Sequence, residues 1–293
     1  MKHKRLQILV PQYKETEEVI KFLLDSIECQ VCIDKNDIGV VICSDGGKYV
    51  LDRKFLDKYS YDIDYVVCKH RGVSATRNSA FLLSDADYIM YCDSDDGFCN
   101  TFGLKIIFEN LDLNEKANTP IDILSTQFYV ETFASENSNW NLRVFDHNSI
   151  YIHGRVYRRD FLMNNGLYFN EKIWANEDSF FNISTNFYSK NTKILNLPVY
   201  CWRGNPESVT HDPKFLLKTM HQLVYSNESV VELMLLLGKD KKEIGKTTFD
   251  LICKVYLEMN KPVWHKPENF EYKDITIKTL QWYIEKRGNL CSV

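Results

Sequence analysis

No stretch of the chain approaches the roughly 18 consecutive apolar residues that a membrane-crossing helix needs. The one apolar run near the start, residues 6–10, is too short for the core of a signal peptide. The expectation is a cytoplasmic protein, soluble or peripheral at the inner face of the membrane. A Gly/Ser-rich linker, an internal repeat and a low-complexity tract are also missing, which removes tethered arrays and solenoids. Neither sign of charge dominates. With 36 Lys and Arg against 40 Asp and Glu, the net charge is -4 and the pI about 6.0, so there is no global pull toward nucleic acid or an anionic bilayer. A second CxxC is absent too. Cys29 and Cys32 form a lone pair near the end of a predicted helix, where a redox centre would sit at a helix start and a structural zinc site would need two pairs. The nine irregularly spaced cysteines read as reduced, mostly buried thiols of a cytosolic protein.

What is present suits a folded enzyme. A length of 293 residues allows a large core, and 44% hydrophobic with 26% charged residues is ordinary for a globular protein. Aromatics reach 13%, which serves packing first and also suits a cleft that stacks sugars or bases. Lys239, Lys241, Lys242 and Lys246 cluster late in the chain, as a solvated face or a patch for a polyanionic acceptor.

The first half alternates short apolar runs with amphipathic segments. Strands are predicted at 6–10, ended by Pro11, at 40–43, 65–68 and 88–92; helices are predicted from a Thr16 cap through residue 27 and from Ser74 to 83. That alternation argues for a parallel sheet with right-handed crossovers, whose ligands sit beyond the strand carboxyl ends. A helix at 102–111, strands at 121–130, 150–157 and 194–202, and a helix after Glu177 follow. From about residue 213 the pattern is helical, clearest at 215–237 and 246–257. The division expected is 1–212 for an α/β domain and 213–293 for a helical extension packed on it.

The chemistry concentrates in acidic pairs. Asp93 and Asp95 follow a strand two residues apart, so both carboxylates can face one point and suit Mg²⁺ or Mn²⁺ bridging a diphosphate. An Asx-rich turn is the plainer reading, and Asp96 would fix that turn. Asp45, after an earlier strand, would reach the same edge and could hold a base or ribose. Arg77, in the first turn of the helix opened by Ser74, lies where a phosphate is favoured. A surface salt bridge is its plainer reading. Glu177 and Asp178 form the second pair, where a carboxylate could take the proton of an attacking hydroxyl or simply complement a helix dipole.

Together these segments resemble glycosyltransferase family 2, inverting nucleotide-sugar transferases of GT-A fold. The resemblance runs through Ile8-Leu9-Val10-Pro11-Gln12-Tyr13, Ser44-Asp45-Gly46-Gly47, Gly72-Val73-Ser74-Ala75-Thr76-Arg77-Asn78 and Tyr91-Cys92-Asp93-Ser94-Asp95-Asp96. It continues in His153-Gly154-Arg155, Asn176-Glu177-Asp178, and Arg203 through His211, covering roughly residues 6–211. It implies an α/β fold with a mostly parallel central sheet flanked by helices. Pro11, Tyr13 and Asp45 would line the nucleoside pocket, with Arg77, Ser94 and Asp93 also on the donor. Asp95 and Asp93 would hold a divalent cation, Mn²⁺ or Mg²⁺, joined by His211 on a closing loop. Asp178 would be the catalytic base and Glu177 its neighbour on the acceptor side. Ser44 stands where the family usually has another acid, so UDP is favoured only mildly, and His153 replaces an aromatic often found before Gly154.

The implied partners are a nucleotide diphosphate sugar and a glycan or lipid-linked acceptor, as in cell-surface polysaccharide synthesis; protein or modified DNA are the other acceptors. The C-terminal helices could touch a membrane or a second copy. A nucleotidyltransferase would show a Gly-rich loop with a basic residue after the first strand, and Gln12-Tyr13-Lys14-Glu15 is not one. A glycoside hydrolase would need two carboxylates but no nucleotide pocket. A non-catalytic sugar- or nucleotide-binding homologue would have little reason to keep both acidic pairs.

Overall fold

The computed structural model describes residues 3–133, 140–145, 150–204, 212 and 214–292. Two compact units make up the chain: Met1–Glu171 with Thr185–Asn205, and Lys172–Ser184 with Pro206–Val293.

The first unit opens with β1 (Lys4–Gln12), α1 (Glu17–Glu28), β2 (Ile38–Asp45), the single turn α2 (Arg53–Leu56), β3 (Asp62–Cys68), α3 (Val73–Leu83) and β4 (Ala86–Tyr91). Their strands pair in parallel in the order β3-β2-β1-β4, as the alternating pattern predicts. All eight residues of β2 are buried, which is why its sequence is a nearly continuous apolar run rather than an alternation. Ile20, Leu23, Leu24 and Ile27 of α1 join Ile8, Val10, Val40 and Ile42 in one core. Each such side chain taken out of water contributes about 1.5–3 kcal/mol.

Pro11 does not end β1. Pairing with β4 stops at Leu9↔Tyr91, and beyond it only β2 remains as a partner (Pro11↔Cys43), so the missing proline N–H removes no bond toward β4. The caps also differ from expectation. Thr16 is the N-cap of α1 through its backbone, its hydroxyl making no cap bond, and α3 is capped by Gly72 rather than opened by Ser74.

The sheet then turns mixed. After β5 (Gly97–Phe98) and α4 (Gly103–Lys116) come β6 (Ile123–Phe133), β7 (Trp140–Phe145), β8 (Arg155–Arg158), α5 (Arg159–Asn164), α6 (Glu177–Tyr188) and β9 (Thr192–Trp202). β8 lies antiparallel between β4 and β6, β9 is parallel to β6, and β5 closes the row antiparallel to β9. The hairpin strand β7 was not anticipated, and of the strand expected at 150–157 only its end is strand. Gly154 explains the late start: its φ is +69°, and a Cβ there would lie 2.5 Å from Thr126 Oγ1.

The second unit contains α7 (Phe215–Leu236), α8 (Lys241–Met259) and α9 (Phe270–Arg287) around a core that includes Leu217, Met220, Val224, Val255, Trp264 and Tyr283. Asp240 caps α8 by accepting the Lys242 and Glu243 N–H groups. The buried Glu228 is gripped in a bidentate manner by Arg287, at 2.6 and 3.0 Å, with Lys286 Nζ at 2.7 Å. Among the described residues no helix is long and apolar enough to cross a membrane. All nine cysteines are free, but Cys29 and Cys32 are exposed rather than buried.

Candidate active site

The parallel strands β1, β2 and β4 deliver their carboxyl ends to one edge of the sheet, and the residues singled out in the sequence follow them there. Beyond β4 the chain does not stay extended. Asp96 N–H returns to the Asp93 carbonyl at 3.2 Å, closing a β-turn over Asp93, Ser94, Asp95 and Asp96. Asp93 and Asp95 are therefore presented by a turn and not by the side-to-side alternation of a strand. Asp93 and Asp95 are partly exposed, whereas Ser94 and Asp96 are buried.

Asp93 is paired with Arg77, whose Nη2 lies 2.8 Å from Oδ1. Because α3 begins at Val73, Arg77 is past the first turn, and its buried side chain runs over the Phe169 ring (5.2 Å) to reach Asp93. It is neither at the helix terminus nor a surface salt bridge. Burial works against ionising Asp93, but the Arg77 charge, a smaller effect of His153 and the Arg77 hydrogen bond prevail, holding the carboxyl below its usual range.

Beneath the turn lies a buried polar network that the sequence did not disclose. Tyr200, on β9, donates its hydroxyl to Asp96 Oδ2 at 2.5 Å and accepts the Asp93 N–H at 3.2 Å. The Arg203 N–H reaches Asp96 Oδ1 at 2.8 Å, while the Arg203 guanidinium lies 3.9 Å over the Phe22 ring. Burial, followed by the charges of Asp93 and Asp95, pushes Asp96 well above the usual carboxylate range. His153 completes the network, with Nδ1 4.0 Å from Asp96 Oδ2 and without a hydrogen-bond partner. Its ring is boxed by Tyr200, Trp202, Phe128 and Tyr151, with centroids 5.0 to 5.9 Å away. Burial lowers His153 to about 4, so the imidazole is neutral near pH 7. Only the alternation of Tyr200 and Trp202 on one strand, together with a histidine beside a turn glycine, hinted at this arrangement.

Ligand atoms of Asp93, Asp96 and His153 all lie within 4.8 Å of one another. Two hard oxygen donors and a neutral imidazole with an unpartnered buried nitrogen fit a divalent transition ion. Asp95, the expected main ligand, is on the same turn but outside that group. His211 lies outside the described residues.

Asp45, at the end of β2, faces the loop before α3. Its Oδ1 accepts the Arg71 N–H at 2.7 Å, and its Oδ2 accepts the Gly72 N–H at 3.0 Å and faces His70 Nδ1 at 2.9 Å. The carboxylate thus fastens the loop that leads into α3, the helix carrying Arg77. Tyr13, just past β1 and 41% exposed, stacks on His70 at 5.1 Å and 18°, and Lys48 Nζ lies 5.5 Å from the centroid of the Tyr13 ring. Pro11 is partly buried in β1. His70 was not among the expected site residues, because a histidine two residues before a glycine carries no signal of its own.

Glu177 and Asp178 occupy the first turn of α6, in the second unit, after Asn176 with φ +62°. Both are partly exposed at the positive end of the helix, and Asp178 Oδ1 accepts the Ser179 N–H at 2.8 Å.

The family model "Glycosyl transferase family 2" matches residues 7–188. An "Uncharacterized glycosyltransferase EpsJ" of Bacillus subtilis is 25% identical over 233 residues, spanning 71% of this chain and 63% of its own length. Among solved structures, S. aureus TarS 1-349 in complex with UDP-GlcNAc covers 97% of this chain and 92% of its own, with a TM-score of 0.58 at 16% identity. A mannosyltransferase of Pyrobaculum calidifontis in complex with GDP-Man and Mn²⁺ covers 98% of this chain and 86% of its own, with a TM-score of 0.55 at 13% identity. At such identities these likenesses concern the fold, which is of the GT-A type. With its matched segment reaching from β1 to the end of α6, through the Asp93–Asp96 turn, the chain belongs to glycosyltransferase family 2.

Proposed function

We propose that the protein moves a sugar from a nucleotide diphosphate sugar, a UDP-sugar by preference, to an acceptor hydroxyl with inversion at the anomeric carbon. The observation that carries this reading is the Asp93–Asp96 turn at the carboxyl ends of the parallel strands, with Arg77 drawn to Asp93. Residues 1–212 would do the transfer, with 213–293 as the helical extension.

Asp93 and Asp95 are the proposed holders of a divalent cation on the open side of the turn, with His211 as a further ligand. Asp96 and His153 would form the floor, since both Asp96 oxygens already accept protein donors. A bound Mn²⁺ or Mg²⁺ would offset the charge that gathers on a departing diphosphate. Tyr13, Pro11 and the loop tied by Asp45 would shape the nucleoside end, while Ser94 would serve the donor beside Asp93. Asp178 would accept the proton of the acceptor hydroxyl as it attacks, with Glu177 beside it on the acceptor side. The donor complexes of TarS and of the mannosyltransferase support a nucleotide-sugar substrate.

A glycan or lipid-linked acceptor of the cell surface, used at the inner membrane face, is the proposed second substrate. The test is a donor screen over UDP- and GDP-sugars with Mn²⁺, read by nucleotide release. Release from one donor that is lost on chelation supports the reading, and no release from any donor with any glycan acceptor refutes it.

A further inference from the structure

The Asp45 carboxylate has little left to offer a ligand. Its two oxygens already face three donors from the 70–72 loop, at 2.7, 2.9 and 3.0 Å. A carboxylate can only accept, so Nδ1 is the ring nitrogen that donates to Asp45, which in a neutral imidazole leaves the lone pair on Nε2. No described residue hydrogen-bonds that Nε2, and the His70 side chain is 62% exposed. Its ring plane is fixed from the other side by the parallel stack on Tyr13. Gly46 permits the approach: a Cβ there would lie 2.7 Å from His70 Cβ, so any side chain would drive the ring away from Asp45. The result is an oriented acceptor on an aromatic ledge, next to the ends of β1 and β2.

We propose that His70 is a specificity-determining residue that reads the nucleobase, accepting at Nε2 the ring N–H of a lactam base such as uracil. The inference rests on the reading that the protein binds a nucleoside diphosphate sugar. Asp45 acts through His70, fixing its tautomer and orientation in the way a carboxylate fixes a metal-bound imidazole. A base with an acceptor at that ring position, as in cytosine, would set two lone pairs against each other.

The test is calorimetric titration of the full chain in Mn²⁺ with UDP, CDP and 3-methyl-UDP, the last carrying a methyl in place of the ring N–H proton. The wild type should bind UDP roughly tenfold or more tighter than either analogue, the range for a lost hydrogen bond that leaves a partner unsatisfied. His70→Phe keeps a stacking ring and removes the acceptor, and should bind UDP and CDP within about twofold of each other. His70→Asn, which offers an amide oxygen, should restore the preference. Equal binding of UDP, CDP and 3-methyl-UDP by the wild type, or an undiminished UDP preference in a His70→Phe protein of unchanged melting temperature, overturns the role of His70. A wild type that binds no nucleoside diphosphate at all removes the donor reading together with this one.

Discussion

Replacing His153 by Phe should flatten the acid side of the protein's stability profile. The folded His153 is lowered to about 4 from 6.5 by burial, so between those values the unfolded chain binds a proton that the folded chain refuses. Stability therefore falls as pH drops through 6.5 and stops falling from this source near 4. The linkage amounts to about 2 kcal/mol at pH 5 and almost nothing at pH 7, within a ceiling of roughly 3 kcal/mol. Asp96 works with the opposite sign: its raised folded pKa makes the folded state the better proton binder, so it stabilises as pH falls. That contribution is present in both proteins and largely cancels in the comparison. Phe fits the site chemically, since the ring neighbours of His153 are Tyr200, Trp202, Phe128 and Tyr151. Urea unfolding followed by tryptophan fluorescence, at pH 7 and pH 5 with a chelator present, gives the two slopes. The wild-type midpoint should drop by roughly 0.5–1 M more than that of the variant. Equal drops in the two proteins would refute the claim that a neutral, sealed imidazole underlies the acid sensitivity.

Asp178→Asn should abolish transfer while leaving nucleotide affinity nearly intact in calorimetry; turnover like the wild type would remove Asp178 from the role of base. Asp95→Ala should weaken Mn²⁺-dependent nucleotide binding by roughly tenfold or more, whereas His153→Phe should leave it within about twofold, and the reverse order would make the imidazole a ligand instead of a floor. Arg77→Met should lower stability by about 3–5 kcal/mol by stranding Asp93 without its cation, measured by denaturant unfolding. Tyr200→Phe should cost about 1–3 kcal/mol, because it leaves the Asp93 N–H and Asp96 without the hydroxyl they share.

Much of the first unit was legible in the chain. A continuous apolar run such as residues 40–43, set between helical periods, reads as a buried parallel strand, and the acidic residues that follow such runs emerge at the same edge. The family resemblance rested on that order, and the family match bears it out. Local signals failed where geometry is set by distant partners. Whether residues 93–96 stay extended or turn, whether Arg77 lies on the surface or inside, and whether Asp45 faces a ligand or a loop are not properties of those segments alone.

The alternation of strands and helices, the positions of the acidic pairs and the family were readable from residue order alone, because periodicity and residue type act locally. It took packing between distant segments to make His153 and Tyr200, roughly 60 and 100 residues from the acidic turn, its floor, and to spend Asp45 on His70 and the loop beside it. A carboxylate's role depends on which donors reach it and how much water remains around it, and both are set by packing between segments far apart in the chain.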